Sequence, residues 1–209
     1  MSFSLGQYYY DTAGFRENAE QTQKIYNVFA QWQTGIDSSL QFEFRRFDWE
    51  RGDLRFLADP DSLGSLSADS RTDTWRIGGR TSVAPGQHLL ASVITQRFSE
   101  AQTDAPAPFV AIDSKLEDSP YALELQHVGH FGDLWTVSGA GTLRSERDVV
   151  VSTLQSIPPD PPLGFVFQSL SRAQHDNAYS YVTTHALPDT TLELGLAFNR
   201  LSADGEDAL

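Results

Sequence analysis

The sequence predicts an all-β fold, and more narrowly an antiparallel up-and-down transmembrane β-barrel. Three features of the 209 residues support this prediction. Apolar and polar residues alternate with period two in most segments, helical spacing is nearly absent, and short turns alternate with long polar stretches. Strands that alternate in this way give a sheet one apolar and one polar face, as the strands of a barrel between lipid and water do.

About nine strands can be identified from the alternation. The clearest example is 190–199, where Leu192, Leu194 and Leu196 alternate with small or polar residues. The segment from Ala19 to Gln33 could be forced into a helix, but its β-branched and aromatic residues fit a strand at least as well. The predicted strands cover residues 2–10, 24–34, 39–49, 74–83, 88–98, 121–131, 134–148, 178–187 and 190–202.

Two kinds of connection join the predicted strands. Short turns rich in Gly, Pro, Asp and Ser are predicted at Gly35–Ser39, Ala84–Gln87, Phe131–Asp133 and Leu187–Thr190. Long polar loops are predicted at Asp48–Asp73, Ser99–Pro120 and Ser145–Asn177. All the long stretches fall at the same end of the hairpins, which is typical of outer-membrane barrels with short periplasmic turns and long extracellular loops.

Aromatic residues near the strand ends predict two girdles at the membrane interfaces, where amphipathic rings settle at the level of the lipid headgroups. By strand parity, four of them (Trp32, Trp75, Tyr121 and Trp135) are expected on the apolar faces of their strands. The predicted girdle consists of Trp32, Trp49, Trp75, Tyr121, Trp135, Tyr179 and Tyr181.

The polar residues of the same strands are predicted to line a water-filled lumen. A soluble β-sandwich could instead place them on its solvent face, and period two alone does not separate the two folds. The residues predicted to line the lumen are Gln41, Glu43, Arg45, Arg76, Arg80, Glu124, Gln126, Arg144 and Glu193.

Composition excludes several classes of function. Hydrophobic residues make up 40% of the chain and the mean hydropathy is -0.35, which suits barrel strands of about 9–11 residues with every second one apolar. The chain has no cysteine, which excludes disulfides and thiolate metal sites. A net charge of -13 argues against non-specific binding of nucleic acid. No cofactor and no metal are predicted.

The first ten residues are not expected to be a signal peptide, since they have no basic start and no long apolar run. The last predicted strand ends in SADGEDAL instead of an aromatic terminus. We therefore expect residues 1–209 to be one segment of an outer-membrane barrel, truncated at both ends.

No arrangement of residues predicts an active site, so the chain is expected not to be an enzyme. Asp11–Gly14 departs from the aspartic-protease loop, which needs glycine directly after the hydroxyl residue. His127 and His130 are three apart on a strand and should face opposite sides. Gly139–Gly141 is expected to mark close packing or a bend within a strand. The acidic residues Asp48, Glu50, Asp53, Asp59 and Asp61 could bind Ca²⁺ or bridge to lipopolysaccharide, but a solvated loop is favoured.

Four segments carry a family resemblance: residues 8–33, 38–56, 73–90 and 177–205, which read YYYDTAGFRENAEQTQKIYNVFAQWQ, SSLQFEFRRFDWERGDLRF, DTWRIGGRTSVAPGQHLL and NAYSYVTTHALPDTTLELGLAFNRLSADG. They resemble the barrel region of Gram-negative outer-membrane proteins that carry tetratricopeptide repeats before the barrel, and which are similar to TonB-dependent receptor barrels. The resemblance covers most of the chain. It implies an outer-membrane location and a periplasmic repeat domain in the parent protein.

Passage or export of a polar solute or polymer is the predicted function, with lumen charges giving selectivity. Outer-membrane lipid and lipopolysaccharide are the expected partners besides the solute. Two other functions are consistent with the sequence. One is a surface adhesion or ligand-binding barrel that acts through long extracellular loops. The other is a soluble carbohydrate-binding β-sandwich, which would dissolve without detergent as a monomer.

Overall fold

A computed structural model of the chain describes residues 1–15, 18–52, 65–107, 109–156, 160–187 and 190–208. These residues form ten β-strands in one antiparallel sheet, which confirms the predicted fold class. They contain no helix long and apolar enough to cross a membrane. The strands are β1 (Ser2–Thr12), β2 (Gln21–Gln33), β3 (Ser39–Gly52), β4 (Ser67–Ala84), β5 (Gln87–Ala107), β6 (Val110–Asp118), β7 (Tyr121–Phe131), β8 (Leu134–Gln155), β9 (Leu163–Leu187) and β10 (Thr190–Ala208).

Strands β6 and β7 together occupy one position in the sheet, between β5 and β8. Their register with β5 runs unbroken from the pair Phe98 and Asp118 to the pair Thr95 and Tyr121. The Ser119–Pro120 dipeptide between them stays in the ladder, with one donated and one accepted backbone hydrogen bond of 3.1 and 2.8 Å. Proline has no N–H to donate, which explains the interruption. The described part of the sheet is therefore nine strands wide.

Most strands are longer than the sequence predicts, chiefly at the end away from the short turns. β5 continues to Ala107, β8 continues to Gln155 and β9 begins at Leu163, so most of the predicted loops Ser99–Pro120 and Ser145–Asn177 are strand. These polar segments stay extended because neighbouring strands bond their N–H and C=O groups, as β6 and β9 do for β8. In the third predicted loop, residues 53–64 lie outside the described residues, and β3 and β4 extend into the rest.

The short turns lie where the sequence predicts them. Gly86 and Gly132 have φ angles of 71° and 61°, in the left-handed region where glycine is favoured over other residues. Each stands in a two-residue turn between antiparallel strands, β4 to β5 and β7 to β8. The fourth predicted turn includes residues 188–189, which lie outside the described residues.

The register sorts side chains onto two faces. Ile77 of β4 lies between Phe42 of β3 and Val93 of β5, and Val93 lies beside Leu123 of β7. We call this side the apolar face and the other side the polar face. By the same register the apolar face also carries Val28, Trp32, Leu40, Phe44, Trp75, Leu125, Val182, Leu192, Leu194, Leu196 and Phe198.

Nothing within the described chain covers the apolar face. Ile77 is 56% exposed and Leu196 is 82% exposed, and Ala68 is the only buried hydrophobic residue among those described. A β-sandwich buries such residues against a second sheet, and the described residues form only one sheet. The apolar face therefore needs a partner from outside these residues.

A row of charged residues limits the apolar face at the end away from the short turns. Arg46, Asp73 and Arg97 lie side by side on β3, β4 and β5, immediately beyond Phe44 and Trp75. The Arg46 guanidinium donates to both carboxylate oxygens of Asp73, over 2.6 and 2.8 Å. Between this level and the short turns, β7 has 11 residues, within the range of about 9–11 that a transmembrane β-strand needs.

The ion pair beyond the apolar face should make stability depend on pH. The hydrogen bond from Arg46, helped by the charges of Arg46, Arg71 and Arg97, holds the pKa of the Asp73 carboxyl below its ordinary value. A carboxyl of this kind stabilises the fold fully above its unfolded pKa, and the contribution is lost as the pH falls through its folded pKa. We expect Asp73→Asn to lower the free energy of unfolding at pH 7 by about 0.2–1 kcal/mol, because Arg46 is partly exposed.

This effect is measured by comparing the urea midpoints of Asp73→Asn and of the unsubstituted protein in detergent micelles, at neutral and at acidic pH. The difference should shrink as Asp73 becomes protonated. A difference of the same size at both pH values would contradict the assignment to the charged pair.

Candidate functional site

A depression of about 430 Å³ lies on the polar face, and β2, β3, β4, β5 and β7 all contribute to it. Its position follows from the register. Gly78 of β4 lies between Gln41 and Ser92, and Leu90 of β5 lies between Arg80 and Gln126. The polar residues around it are Gln31, Gln41, Arg76, Arg80, Glu124 and Gln126.

Gly78 keeps the floor of the depression open. Arg76 and Arg80 lie two residues on either side of it, on the same face of β4. A Cβ atom added at Gly78 would find only one backbone oxygen nearby, 3.7 Å away. The absent side chain therefore leaves a gap between two guanidinium groups.

The two arginines differ in their partners. Arg76 Nη1 lies 3.9 Å from Glu43 Oε2, at the outer limit of an ion pair, and both side chains are more than 40% exposed. Arg80 Nη2 lies 3.3 Å from the His88 ring, so the guanidinium donates and the facing ring nitrogen accepts. Among the described residues no carboxylate is paired with Arg80. Arg80 is therefore the better placed of the two to meet an anion in this depression.

Eight of the nine residues predicted to line a lumen share the polar face. Arg45 and Glu193 are on it but lie away from the depression, opposite Thr74 and Thr183 respectively. Glu43 contacts Arg76 at its rim. The depression itself is lined by Gln41, Arg76, Arg80, Glu124 and Gln126.

The prediction for Arg144 is wrong. Arg144 of β8 lies opposite Tyr121 of β7 and Gln174 of β9, which puts it on the same side of the sheet as Leu123. Alternation in β8 misled the prediction because its larger apolar residues, Trp135 and Val137, lie on the opposite face of the sheet from Leu123 and Leu125 of β7. Only the pairing of β8 with β7 shows which residues of β8 lie on the apolar face and which on the polar face.

The same register corrects part of the predicted aromatic girdle. Trp32, Trp75 and Tyr121 lie on the apolar face, as a girdle requires. Trp49, Trp135, Tyr179 and Tyr181 lie on the polar face, so they are wrongly placed in the prediction. On β8 the apolar face carries Leu134 and then small or hydroxyl residues (Thr136, Ser138, Ala140 and Thr142), which the alternation did not identify as apolar.

Tyr179 and Tyr181 pack over glycines on neighbouring strands. An added Cβ at Gly139 would lie 2.6 Å from Tyr179 Cζ, and one at Gly195 would lie 2.3 Å from Tyr181 Cδ1. The Tyr179 hydroxyl donates to Glu124 Oε1 over 3.0 Å and accepts from Gln126 Nε2 over 2.8 Å. The Tyr179 ring therefore crosses β8 above Gly139 and ties β9 to β7. The expectation of close packing at Gly139 is confirmed.

An aromatic cluster on the polar face is absent from the prediction. Phe47 and Trp49 of β3 stack with ring centroids 6.4 Å apart, and the Arg51 guanidinium lies 4.5 Å from the Trp49 ring centroid. Trp49 Nε1 is buried and has no hydrogen-bond partner among the described residues. The signal was present in the sequence: after Arg45 and Arg46 the apolar residues of β3 change from even to odd positions.

The histidines are separated as expected. His127 shares the apolar face with Leu89, and its ring lies 2.9 Å from Gln87 Oε1. His130 is on the polar face, stacked on Trp135 at 4.2 Å. No group of three or more histidine or acidic side chains within the described ranges is arranged to hold a metal ion.

The fold is similar to those of several solved outer-membrane receptors. The ferric yersiniabactin uptake receptor FyuA of Yersinia pestis has 14% sequence identity and a TM-score of 0.70, over 98% of this chain. The ferric preacinetobactin receptor BauA of Acinetobacter baumannii has 13% identity and a TM-score of 0.68, over 97% of this chain. The ferric citrate transporter FecA, in its unliganded form, has 10% identity and a TM-score of 0.74, over 99% of this chain.

These structures are TonB-dependent receptor barrels, and at such low identity the likeness concerns the fold alone. The chain spans 38%, 37% and 33% of the lengths of FyuA, BauA and FecA. No protein-family model matches the sequence, and no curated protein matches it. The chain thus has the fold of a segment of such a barrel.

Proposed function

We propose that these residues form part of the wall of a transmembrane β-barrel in the bacterial outer membrane. The observation that carries the proposal is one continuous sheet with an exposed apolar face on one side and a polar depression on the other. Lipid covers the apolar face and water fills the space beside the polar face. Most aliphatic side chains then meet lipid, and most charged side chains meet water.

The role of this barrel is passage of a polar solute or polymer, without chemistry of its own. The solved structures with this fold include receptors and transporters for ferric complexes, which supports transport as the class of function. In this chain, Arg76, Arg80 and Glu124 present both signs of charge around one depression. Charged side chains in such positions select among solutes.

The sheet has a defined orientation in the membrane and belongs to a longer protein. The short turns lie on the periplasmic side and the long extensions of β8 and β9 project outside the cell. β1 and β10 each pair on one side only within the described sheet, so further strands close the barrel. We retain the periplasmic tetratricopeptide-repeat domain as part of this proposed parent protein.

A surface-binding barrel is the second candidate function, and the Phe47–Trp49 cluster favours it. The two stacked rings and Arg51 lie beyond the charged row, on the part of β3 that extends away from the short turns. Aromatic rings with an adjacent guanidinium suit a flat or anionic ligand. Loss of partner binding without loss of conductance, on replacing Trp49 with alanine, would favour this function.

Cysteine labelling along β5 tests the proposed function directly. These 209 residues contain no cysteine, so single substitutions report on one position each. We expect a water-soluble maleimide to label Ser92→Cys in outer membranes and to leave Val93→Cys unlabelled, because Ser92 shares the face of Glu124 and Val93 that of Leu123. In planar bilayers, the same reagent should reduce the conductance of Ser92→Cys.

Detergent-denatured protein supplies the control, since both cysteines should then react equally. Equal labelling of both positions in intact membranes would contradict a lipid-facing side. Labelling with the expected alternation, but with no conductance or solute uptake in the parent protein, would instead favour the surface-binding function.

A further inference from the structure

A second depression, of about 560 Å³, lies on the same side of the sheet as Leu123, which on the proposed function is the lipid side. Its lower edge is a row across four strands: Tyr121, Arg144, Gln174 and Ser202 are successive register partners. Its upper edge is the next row on the same face, Glu146, Arg172 and Asp204. The pairing of β7 to β10 therefore fixes the relative positions of the residues that line this depression.

On β7 the first row marks the limit of the apolar face, whereas on β9 and β10 the charged residues Asp176 and Arg200 already stand one row nearer the short turns. Toward the short turns, β7 continues with Leu123 and Leu125. In the other direction β8 continues with Glu146 and Asp148. Arg144 and Tyr121 therefore lie at the level where hydrocarbon gives way to headgroups, at the end of the barrel that carries the long extensions.

Most charges around Arg144 already have partners. Arg172 Nε donates to Glu146 Oε2 over 2.9 Å. Asp176 accepts from the Thr142 hydroxyl and from Gln174 Nε2, each over 2.7 Å. Arg144 is exposed and makes no hydrogen bond or ion pair with a described residue, although its charge acts on Asp176 of the same face. Its N–H donors therefore remain available to a ligand beside the apolar face.

We infer that Arg144 binds a phosphate of lipid A, the phosphorylated glycolipid of the outer leaflet; this rests on the proposed function. A guanidinium recognises phosphate oxygens with two parallel N–H donors. Ser202 and Gln174 offer hydroxyl and amide groups to the sugar, and Tyr121 has the amphipathic ring favoured at this depth. Acyl chains of the same lipid can lie along Leu123 and Leu125. Asp204, the remaining acid, favours a ligand that also carries hydroxyl donors.

Native mass spectrometry of the intact protein, titrated with lipid A in mild detergent, tests this site. We expect Arg144→Gln to weaken lipid A binding about fivefold, as for one arginine at a membrane surface. Arg147→Gln is the matched control, because Arg147 is on the opposite face and bonded to Asp118. Its binding curve should equal that of the parent. Dephosphorylated lipid A should bind the parent as weakly as lipid A binds Arg144→Gln.

Two outcomes overturn the inference. One is equal lipid A binding by Arg144→Gln and the parent protein. The other is binding of phosphatidylglycerol as tight and as dependent on Arg144 as that of lipid A, which would assign the site to phosphate in general. Failure of the proposed function would be seen separately, as loss of the alternating labelling of Ser92→Cys and Val93→Cys in the parent background.

Discussion

Val93→Arg should prevent stable insertion of the protein into bilayers, whereas Ser92→Arg should insert like the parent. Val93 is 45% exposed on the apolar face, between Ile77 and Leu123. An arginine facing lipid near the middle of a barrel strand costs about 2–4 kcal/mol. Ser92 lies on the adjacent position and the opposite face, beside Gly78 and Glu124, where an added cation meets water and a carboxylate.

Refolding into phosphatidylcholine vesicles measures this difference. The folded fraction is read from the heat-dependent shift of the protein band on a gel, and urea midpoints give the free energy. Because the two substitutions introduce the same side chain at neighbouring residues of one strand, the cost of the arginine itself can be compared between the two faces. Equal destabilisation by both substitutions would mean that the two faces of β5 meet the same medium, and the barrel assignment would fail.

The alternation of residues predicts the fold class. It assigns residues to the apolar or the polar face of a strand only where apolar residues are confined to one face and polar residues to the other. In β3, Leu40, Phe42 and Phe44 mark one face clearly. The pattern then reverses, because Phe47 and Trp49 are on the other face with no bulge in the register on either side. A rule that follows apolar residues alone assumes that they stay on one face. It therefore cannot distinguish this reversal from a β-bulge that would keep Phe47 and Trp49 on the face of Phe44.

The misplacement of Arg144 and Trp135 has a related cause. Threonine, serine and alanine on the lipid side of β8 carry little hydrophobic signal, so the larger side chains on its other face dominate the local pattern. The deciding information is the pairing of β8 with β7, which joins residues on two strands through the ladder. Parity on one strand is local, whereas register is a property of the sheet.

The composition of the depression was predictable, and its shape was not. Gln41, Arg76 and Glu124 follow from strand parity on three strands whose alternation is clear. The opening between Arg76 and Arg80 depends on Gly78, and the partner of Arg80 depends on how β4 and β5 pair at His88. Both features need the register of neighbouring strands, which no single segment contains.

The reversal beyond the charged row indicates where the lipid ends. On the side of the apolar face, Asp48 pairs with Arg71 over 2.6 Å, and Lys115 with Glu117 over 2.6 Å. Exposed ion pairs of this kind are stable in water and costly in hydrocarbon. The extended parts of β3 to β6 therefore stand in water on both sides, and their aromatic residues turn toward the inside of the proposed barrel.

Gly139→Ala should strongly destabilise the sheet from its polar face. The added Cβ would lie 2.6 Å from the Tyr179 ring and 3.1 Å from the Leu125 carbonyl oxygen, both closer than normal contact. Displacing the ring also breaks the hydrogen bonds of its hydroxyl to Glu124 and Gln126. Overpacking of this kind costs about 1–3 kcal/mol.

A double-mutant cycle separates the clash from the intrinsic effect of alanine. Adding Tyr179→Ala to Gly139→Ala removes the ring that the new methyl group meets, so the two free energies of unfolding should be non-additive by at least about 0.5 kcal/mol. Gly78→Ala is the matched control, since its Cβ would meet only an oxygen at 3.7 Å. It should be neutral or stabilising by about 0.5–1 kcal/mol, because alanine loses less backbone entropy than glycine on folding. Additive effects at Gly139 and Tyr179 would mean that the Tyr179 ring does not cross β8 above Gly139. The conclusion that Tyr179 links β9 to β7 would then also be wrong.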